Sequence, residues 1–191
     1  MEADNMKKHI RTWLPTTLLV GATITFAVVT IGAQSRIQRG NEIAPVPLNM
    51  GGLNPALVRE GSYIVNAQGG CNDCHTAPSY ALHGNPFLGE PEAINVPCYL
   101  AGGAPFGPGI TSRNITPRAN GLPANRTLDQ FKELMRTGKD FAGPATPILQ
   151  VMPWPVYGKM SDRELEAIYE YLRAIPMIAN PGFSVCGTPS A

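Results

Sequence analysis

The sequence has no large excess of charge of either sign, because 15 Lys and Arg residues stand against 14 Asp and Glu residues. This balance gives no support to a nucleic-acid partner, which would require a clearly basic surface. The glycine-rich stretch at residues 101–109 lacks the Gly-Lys-Ser/Thr ending of a phosphate-binding loop. No nucleophile–base combination is recognisable either. Composition and motifs therefore point away from nucleic-acid binding, nucleotide binding and covalent catalysis.

Cysteine and histidine are also scarce, with four Cys and three His residues in the chain. Two of the cysteines stand in the sequence CNDCH at residues 71–75. A structural zinc site needs four ligands, and no second paired Cys/His cluster occurs. A redox dithiol should follow a buried strand, whereas this pair follows Gly69-Gly70 after a helix-like stretch. Zinc and dithiol sites remain as the weaker alternatives for this motif.

The C-x-x-C-H spacing is typical of a covalently attached c-type haem. Thiols three residues apart can form thioethers with the two vinyl groups on one edge of the porphyrin. Cys71 and Cys74 are thus the expected anchors, and His75 would present a ring nitrogen to the iron as proximal ligand. One motif predicts one haem c. The 19 Pro and 20 Gly residues fit a chain that wraps largely as loops around this cofactor.

An uncharged apolar run covers residues 13–33, which is long enough to cross a bilayer as a helix. Lys7, Lys8 and Arg11 precede the run and favour a cytoplasmic segment over residues 1–12. A cleaved signal peptide is the alternative, with Ile31-Gly32-Ala33 as a poor cleavage site. Haem is attached to such motifs outside the cytoplasm. The sequence therefore predicts a single transmembrane anchor with the rest of the chain on the periplasmic side of the bacterial inner membrane.

Residues 34–53 contain Pro45, Pro47 and Gly51-Gly52 and show no helical apolar stripe, so we expect a linker there. Residues 54–191 would form the haem domain with a C-terminal tail. Three helices are predicted in that domain: one opened by Asn54-Pro55 and ended by Gly69-Gly70, one from the capping box at residues 127–130 to Gly138, and one from the capping box at residues 161–164 to a point before Pro176. With long loops and no convincing strand, the expected fold is all-α.

Gly61 interrupts the first predicted helix, where glycine costs about 1 kcal/mol relative to alanine. A close crossing with another helix would justify that cost. The last helix is the expected partner.

The sixth ligand of the iron separates an electron carrier from a catalyst. Met152 is our preferred ligand, because Pro153 and Pro155 restrict the backbone around it and a thioether suits low-spin iron. Trp154 between the two prolines could stack near the haem edge and donate its indole N–H to a propionate. Met160, which could instead be a hydrophobic staple before the last helix, is the alternative ligand. An open or His-ligated iron is the remaining possibility.

Two other polar residues are candidates for the haem pocket. Asn114, in the turn Asn114-Ile115-Thr116-Pro117, could bind a buried propionate or could hold the loop backbone together with its threonine. His83 is a rival iron ligand, although we favour a surface position for it.

Cys98 and Cys186 are the two cysteines outside the haem motif. In an oxidising compartment we expect them to form a disulfide that joins the Pro-rich loop to the C-terminal tail. The alternative is two thiols that are free or paired with other molecules.

Three segments of the chain resemble a known family. CNDCH, the central NITP and the stretch MPWPVYGKMSDRELEAIYEYLRAIP look like class I cytochrome c domains, and above all like the haem domains in cytochrome subunits of bacterial membrane-bound dehydrogenases for alcohols, aldehydes and sugar acids. The resemblance covers residues 54–176. It implies crossing N- and C-terminal helices, Cys71 and Cys74 as anchors, and His75 and Met152 as axial ligands. Those subunits often carry three such domains, whereas this chain has one haem motif.

These observations predict a membrane-anchored monohaem cytochrome c rather than an enzyme. It would carry single electrons between a dehydrogenase, or another respiratory donor, and an acceptor such as a terminal oxidase. One alternative is a fixed electron-transfer subunit of a dehydrogenase or oxidase complex. A haem enzyme of the peroxidase type, which needs an open sixth position, is the weaker alternative.

Overall fold

A computed structural model describes residues 35–140 and 147–179 of the chain. The predicted cytoplasmic segment, the predicted transmembrane span at residues 13–33 and Cys186 lie outside these ranges. Among the helices within them, none combines the length and the apolar character that a membrane crossing requires. The described residues from Arg36 onward belong to one compact unit.

This unit is rich in helix. Its main helices are α1 (Pro55–Tyr63), α3 (Leu128–Thr137) and α5 (Asp162–Ala174), and two short ones, α2 (Cys71–His75) and α4 (Trp154–Tyr157), stand between them. A π-helical turn over Ile64–Gln68 extends α1. The strands β1 (Pro105–Gly107) and β2 (Ile110–Thr111), together with 3-10 turns at Pro86–Leu88 and Val96–Cys98, complete the described elements.

The three predicted helices form at the expected signals. The Asn54 side chain accepts hydrogen bonds from the amides of Ala56 and Leu57, and Pro55 occupies the first helical position. Both capping boxes are present, with Thr127 and Gln130 at the start of α3 and Ser161 and Glu164 at the start of α5. Gly138 ends α3 in the left-handed conformation.

The crossing of α1 and α5 is the centre of the core. A Cβ atom at Gly61 would collide with the backbone carbonyl of Ala167, so the two helix backbones touch at this point. The predicted close crossing is thereby confirmed. Val58 and Leu165 are fully buried around it. The apolar face of α1 therefore forms its main contacts with the last helix of the domain.

A buried hydroxyl network extends from the crossing. The Tyr99 hydroxyl donates to Asn66 Oδ1 (2.5 Å) and lies 2.9 Å from the Tyr171 hydroxyl. Asn66 Nδ2 donates to the Tyr171 oxygen (3.2 Å). Burial raises the pKa of Tyr99 and of Tyr171, so both stay neutral. Through Tyr99, the network connects the two helices to the long segment that follows the CNDCH motif.

Residues 36–53 differ from the linker expected there. Residues 36–42 are helical, and Gly40 lies against the backbone of Arg59. Val46 is buried in the core, and the Asn49 amide donates to the carbonyl of Ala174 (2.8 Å). Prolines and glycines interrupt any periodic pattern in this stretch. Its apolar side chains nevertheless pack against the core that α1 and α5 form. The segment therefore packs as part of the same compact unit.

The strands also differ from the sequence prediction. β1 and β2 pair antiparallel with an irregular register. Gly107 at the end of β1 and Gly109 just before β2 take positive φ. Strands of three and two residues are too short to show an alternating pattern, so the sequence carried no signal for them. This hairpin stands at the wall of the cavity described next.

Candidate functional site

The CNDCH motif forms the single turn of α2 at the edge of a cavity of about 560 Å³. Gly70 precedes this turn with φ +56°, a conformation that glycine adopts without strain. Cys71, Cys74 and His75 all line the cavity. Its other walls are mostly apolar and come from the π-helical turn, the β-hairpin, α3, the loop at residues 147–153 and α5. The volume and the apolar lining are typical of a site for an organic cofactor.

The His75 imidazole is held in one orientation. Its Nδ1 lies 2.8 Å from the carbonyl oxygen of Arg113. A carbonyl can only accept, so Nδ1 carries the hydrogen and Nε2 retains its lone pair. Burial lowers the pKa of His75, and the hydrogen bond to Arg113 opposes this in part. The result is a neutral imidazole with one nitrogen free to bind a metal, which is the form a haem ligand needs.

The two thiols do not have the character of a redox dithiol. The pKa of Cys71 is raised to about 12, mainly by burial and to a smaller extent by the charge of the nearby Cys74. Burial also raises the pKa of Cys74. Reactive dithiols have lowered pKa values, because the thiolate is the reactive form. Within residues 35–140 and 147–179, no three His, Cys, Asp or Glu side chains stand close enough together to hold a metal ion.

Both candidate methionines for the sixth position line the cavity. Met152 lies half-buried in the loop at residues 147–153, and Met160 lies just before the N-cap of α5. Met135 also lines the cavity but belongs to the buried face of α3. The preference for Met152 therefore stays a prediction, with Met160 as its competitor.

Trp154 holds the loop that carries Met152. Its indole Nε1 donates to the carbonyl of Leu149 (3.1 Å), and a Cβ atom at Gly138 would lie 2.5 Å from the indole ring. The residue is not part of the cavity lining. The sequence suggests a propionate as an acceptor for this N–H. In the structure the acceptor is a carbonyl five residues upstream, and this hydrogen bond closes the loop around Met152.

Asn114 is also outside the cavity lining. Its Oδ1 accepts hydrogen bonds from the amide and hydroxyl of Thr116, at 2.9 and 2.7 Å. Its Nδ2 donates to the carbonyl of Ile178 (2.8 Å). Of the two roles considered for Asn114, the structure matches the one that holds the loop backbone rather than the one that binds a propionate.

His83 is a surface residue, as expected. Its side chain is 82% exposed and stands 3.6 Å from Glu90. Cys98 is buried, whereas Cys186 lies outside the described residues, so their pairing stays a prediction.

A charged cluster at the cavity was missed by sequence reasoning. Asp140 is 2% exposed and forms ion pairs with both Arg113 and Arg126, and all three residues line the cavity. Two guanidinium groups against one carboxylate leave one positive charge in excess. The Nε of the buried Arg126 has no hydrogen-bond partner. No local sequence pattern predicts this cluster, because its members are 13 to 27 residues apart in the chain and come together only in the folded structure.

The excess positive charge provides a test of fit for the expected cofactor. Arg126 and Asp140 are buried and pair with each other, so the excess positive charge lies on the half-exposed Arg113. An anionic group on whatever fills this cavity would be favourably placed beside it. A haem c carries two carboxylates on the edge opposite its apolar body. The cluster, the two thiols and the free His75 nitrogen thus suit the three chemically different parts of a haem: its carboxylates, its vinyl groups and its iron.

These features are those of a site for a c-type haem, and the known proteins to which the chain is similar are cytochrome subunits. The chain is similar to the cytochrome c subunit of the quinone-dependent alcohol dehydrogenase of Gluconobacter oxydans (strain 621H), with 33% identity over 118 residues. It is 32% identical over 118 residues to the gluconate 2-dehydrogenase cytochrome c subunit of Pantoea cypripedii. The fructose dehydrogenase cytochrome subunit of Gluconobacter japonicus is 32% identical over 78 residues. The predicted resemblance to cytochrome subunits of such dehydrogenases is confirmed.

These matches cover 61%, 62% and 39% of this chain, but only 21%, 23% and 15% of the respective relatives. The chain thus spans about a fifth of the length of the first two. No family model and no solved structure matches it.

Proposed function

We propose that this chain is a monohaem c-type cytochrome that transfers single electrons and performs no substrate chemistry of its own. The observation that carries the proposal is the position of the CNDCH turn: both thiols and a neutral imidazole face one apolar cavity. A bound haem c would supply an iron that alternates between the ferric and ferrous states. Similarity to cytochrome subunits of three dehydrogenases supports the same function.

Each group of residues has a proposed role. Cys71 and Cys74 would form the thioethers, and His75 would provide Nε2 to the iron while the Arg113 carbonyl fixes its ring. Met152 would provide a thioether sulfur as the second ligand. The apolar walls exclude water and keep the dielectric constant low, which tunes the potential. Arg113 and Arg126 would hold a propionate.

The domain is proposed to have the all-α class I cytochrome c fold, with the helices α1 and α5 crossing. Residues 13–33 would anchor it in the bacterial inner membrane and leave residues 54–191 on the periplasmic side. The uncharged run and the export that haem attachment requires support this arrangement. A disulfide between Cys98 and Cys186 would fit the oxidising compartment.

Attachment of the cofactor can be tested directly. The full chain is produced in a host with a periplasmic haem-attachment system, and its mass and visible spectrum are measured after denaturation. We expect one haem that stays bound. The double variant Cys71→Ala/Cys74→Ala should lose it, and Cys98→Ala should retain it. A full-length protein without covalent haem would refute the proposal.

The sixth ligand is tested by a matched pair of variants, Met152→Ala and Met160→Ala. A near-infrared band typical of methionine–iron ligation should be present in the parent and in Met160→Ala but absent from Met152→Ala. The reduced parent should not bind carbon monoxide, whereas Met152→Ala should. The reverse pattern would assign the ligand to Met160. Carbon monoxide binding by the parent itself would favour the peroxidase-type alternative.

The partner is proposed to be a membrane-bound dehydrogenase, with an oxidase or another respiratory protein as the second partner. The word subunit in the names of all three relatives favours a fixed position in a complex over free diffusion. Extraction in mild detergent followed by native mass measurement separates the two. A constant partner would indicate a fixed subunit, and a monomeric cytochrome would indicate a carrier.

The disulfide is tested by alkylation of the denatured protein without reductant. If two cysteines are in thioethers and two are in the disulfide, no cysteine should be alkylated. Two modified sites would exclude the bridge.

A further inference from the structure

The orientation of His75 depends on one backbone oxygen. Arg113 provides the carbonyl that accepts from Nδ1, at 2.8 Å. The ring can turn about its bond to Cβ unless this oxygen stays in place. Whatever holds the backbone at residue 113 therefore also holds the imidazole.

The backbone around Arg113 is fixed on the side that faces α2. The Gly102 amide donates to the carbonyl of His75 (2.6 Å), and the Ile115 amide donates to the carbonyl of Leu100 (3.0 Å). A Cβ atom at Gly102 would lie 2.5 Å from the carbonyl carbon of Arg113. The segments that contain residues 75, 102 and 113 are consequently in direct backbone contact.

The opposite side of the same turn is held by the chain that follows α5. Asn114 Nδ2 donates to the carbonyl of Ile178 (2.8 Å), and the Ile178 amide donates to Thr116 Oγ1 (3.2 Å). The Thr116 hydroxyl in turn donates to Asn114 Oδ1 (2.7 Å). Both backbone groups of Ile178 are thus satisfied by two side chains of the turn. Thr116 is 0% exposed, so water does not compete for these bonds.

We propose that Asn114 and Thr116 are positioning residues for the proximal ligand. Together with Ile178 they form a clamp that keeps the Arg113 carbonyl against His75. The residues after the last helix thereby control how strongly the imidazole donates to the iron. The inference rests on the proposed role of His75 as a haem ligand.

The expected effect follows from the chemistry of the imidazole. A hydrogen bond from Nδ1–H to a carbonyl makes the other nitrogen a stronger donor, and a stronger donor favours ferric iron. A weaker hydrogen bond should raise the midpoint potential. A shift of the ferrous-to-ferric ratio by about threefold, which is about 30 mV for one electron, corresponds to the partial loss of one neutral hydrogen bond.

The test uses the haem-loaded full chain and the variants Thr116→Val, Thr116→Ser and Ile178→Pro. Thr116→Val removes the hydroxyl with little change of shape, and Thr116→Ser keeps it. Ile178→Pro removes the amide hydrogen that Thr116 accepts and keeps the carbonyl, and it also fixes φ at this position and replaces the side chain. Thr137→Val is the control, because it removes a hydroxyl that donates to the Glu133 carbonyl (2.8 Å) on α3. Midpoint potential, the electron spin resonance of the ferric form and thermal stability are measured for each.

We expect Thr116→Val and Ile178→Pro to raise the midpoint potential, so that the ferrous-to-ferric ratio rises about threefold, and to change the ferric resonance. Thr116→Ser should stay close to the parent. Thr137→Val should change at most the melting temperature. Unchanged potentials and spectra in haem-loaded Thr116→Val and Ile178→Pro would overturn the clamp but leave the proposed function intact. So would failure of both to hold haem while Thr116→Ser also loses it, since that indicates a purely structural role. A parent chain that binds no haem would instead refute the proposed function.

Discussion

The helix crossing and the cavity wall are built in different ways. At the crossing, α1 and α5 meet backbone to backbone at Gly61 and Ala167, and the side chains around it are apolar or hydrogen-bonded to one another. At the wall, short strands and loops are held by single side chains, among them Trp154 with the Leu149 carbonyl and Asp140 between two arginines. The crossing needs nothing beyond the polypeptide. The wall carries an excess positive charge and an apolar surface that a cofactor would complete.

This difference implies that the cofactor stabilises the two regions unequally. A group that binds only the folded state adds its binding energy to stability, and that energy is located where its contacts are. The crossing should therefore resist unfolding with or without haem. The wall should gain most of its order on haem attachment. Variants that act on one region or the other make this contrast measurable.

The largest effect is expected for Gly61→Ala. The added methyl group collides with a backbone carbonyl that cannot turn away, so unfolding free energy should fall by about 3 kcal/mol or more. Chemical denaturation of the protein with and without haem should show a similar loss in both. Gly51→Ala, where the new Cβ would approach only the Asn49 side chain, is the control. A loss confined to the haem-free form would contradict the contrast between the regions.

Asp140→Asn should cost about 2–3 kcal/mol in the protein without haem. It leaves two guanidinium groups unpaired, although the half-exposed Arg113 is partly screened by solvent. With haem attached, a propionate would share this charge, and the loss should be smaller. Denaturation of both forms checks the difference, with the exposed Asp129→Asn as control. Equal losses in the two forms would mean that no carboxylate of the cofactor reaches the cluster.

Tyr171→Phe should cost about 1–2 kcal/mol in either form. It removes the oxygen that accepts from Asn66 and leaves a buried donor without that partner. Tyr63→Phe, at the end of α1, is the matched control. Thermal unfolding followed by circular dichroism measures both. If Tyr63→Phe destabilised the protein as much as Tyr171→Phe, the buried network would have no special contribution.

The smallest effect concerns the acid side of the stability profile. Hydrogen bonds from the Ser161 amide and hydroxyl lower the pKa of Glu164 below its ordinary value of 4.5. A lowered pKa in the folded state contributes stability that is complete above pH 4.5 and is lost as the pH falls through the lower folded value. Glu164→Gln keeps an acceptor but removes the charge, so its melting temperature should depend less on pH below 4.5. Equal dependence of the melting temperature on pH in the parent and in Glu164→Gln would contradict this contribution.

The sequence predicted those parts of the molecule that depend on neighbouring residues. Asn54, Thr127 and Ser161 cap helices with residues within three positions, and such signals are legible without a structure. Gly61 was informative for a related reason: a glycine inside a helix is unfavourable unless another backbone needs the space. The helices of the fold and their crossing could therefore be predicted.

The rest depends on contacts between residues that are distant in sequence. Asn114 and Trp154 have side chains that could bind a propionate or a carbonyl equally well, and only the folded chain shows that Ile178 and Leu149 provide carbonyls. The Arg113 carbonyl that holds His75 is a backbone atom, which every residue type possesses. Since no residue identity encodes such contacts, the cavity wall could not be derived from the sequence in the same way.

The last helix has a consequence for how this chain can change over time. The loop with Met152 precedes α5, and the clamp at Ile178 follows it. The relative position of these two parts of the pocket therefore depends on the length and rotation of this helix. Adding or deleting a single residue within α5 would turn one end against the other by about 100°. Evolution should therefore tolerate length variation in the long segment after the CNDCH turn far more readily than in this helix.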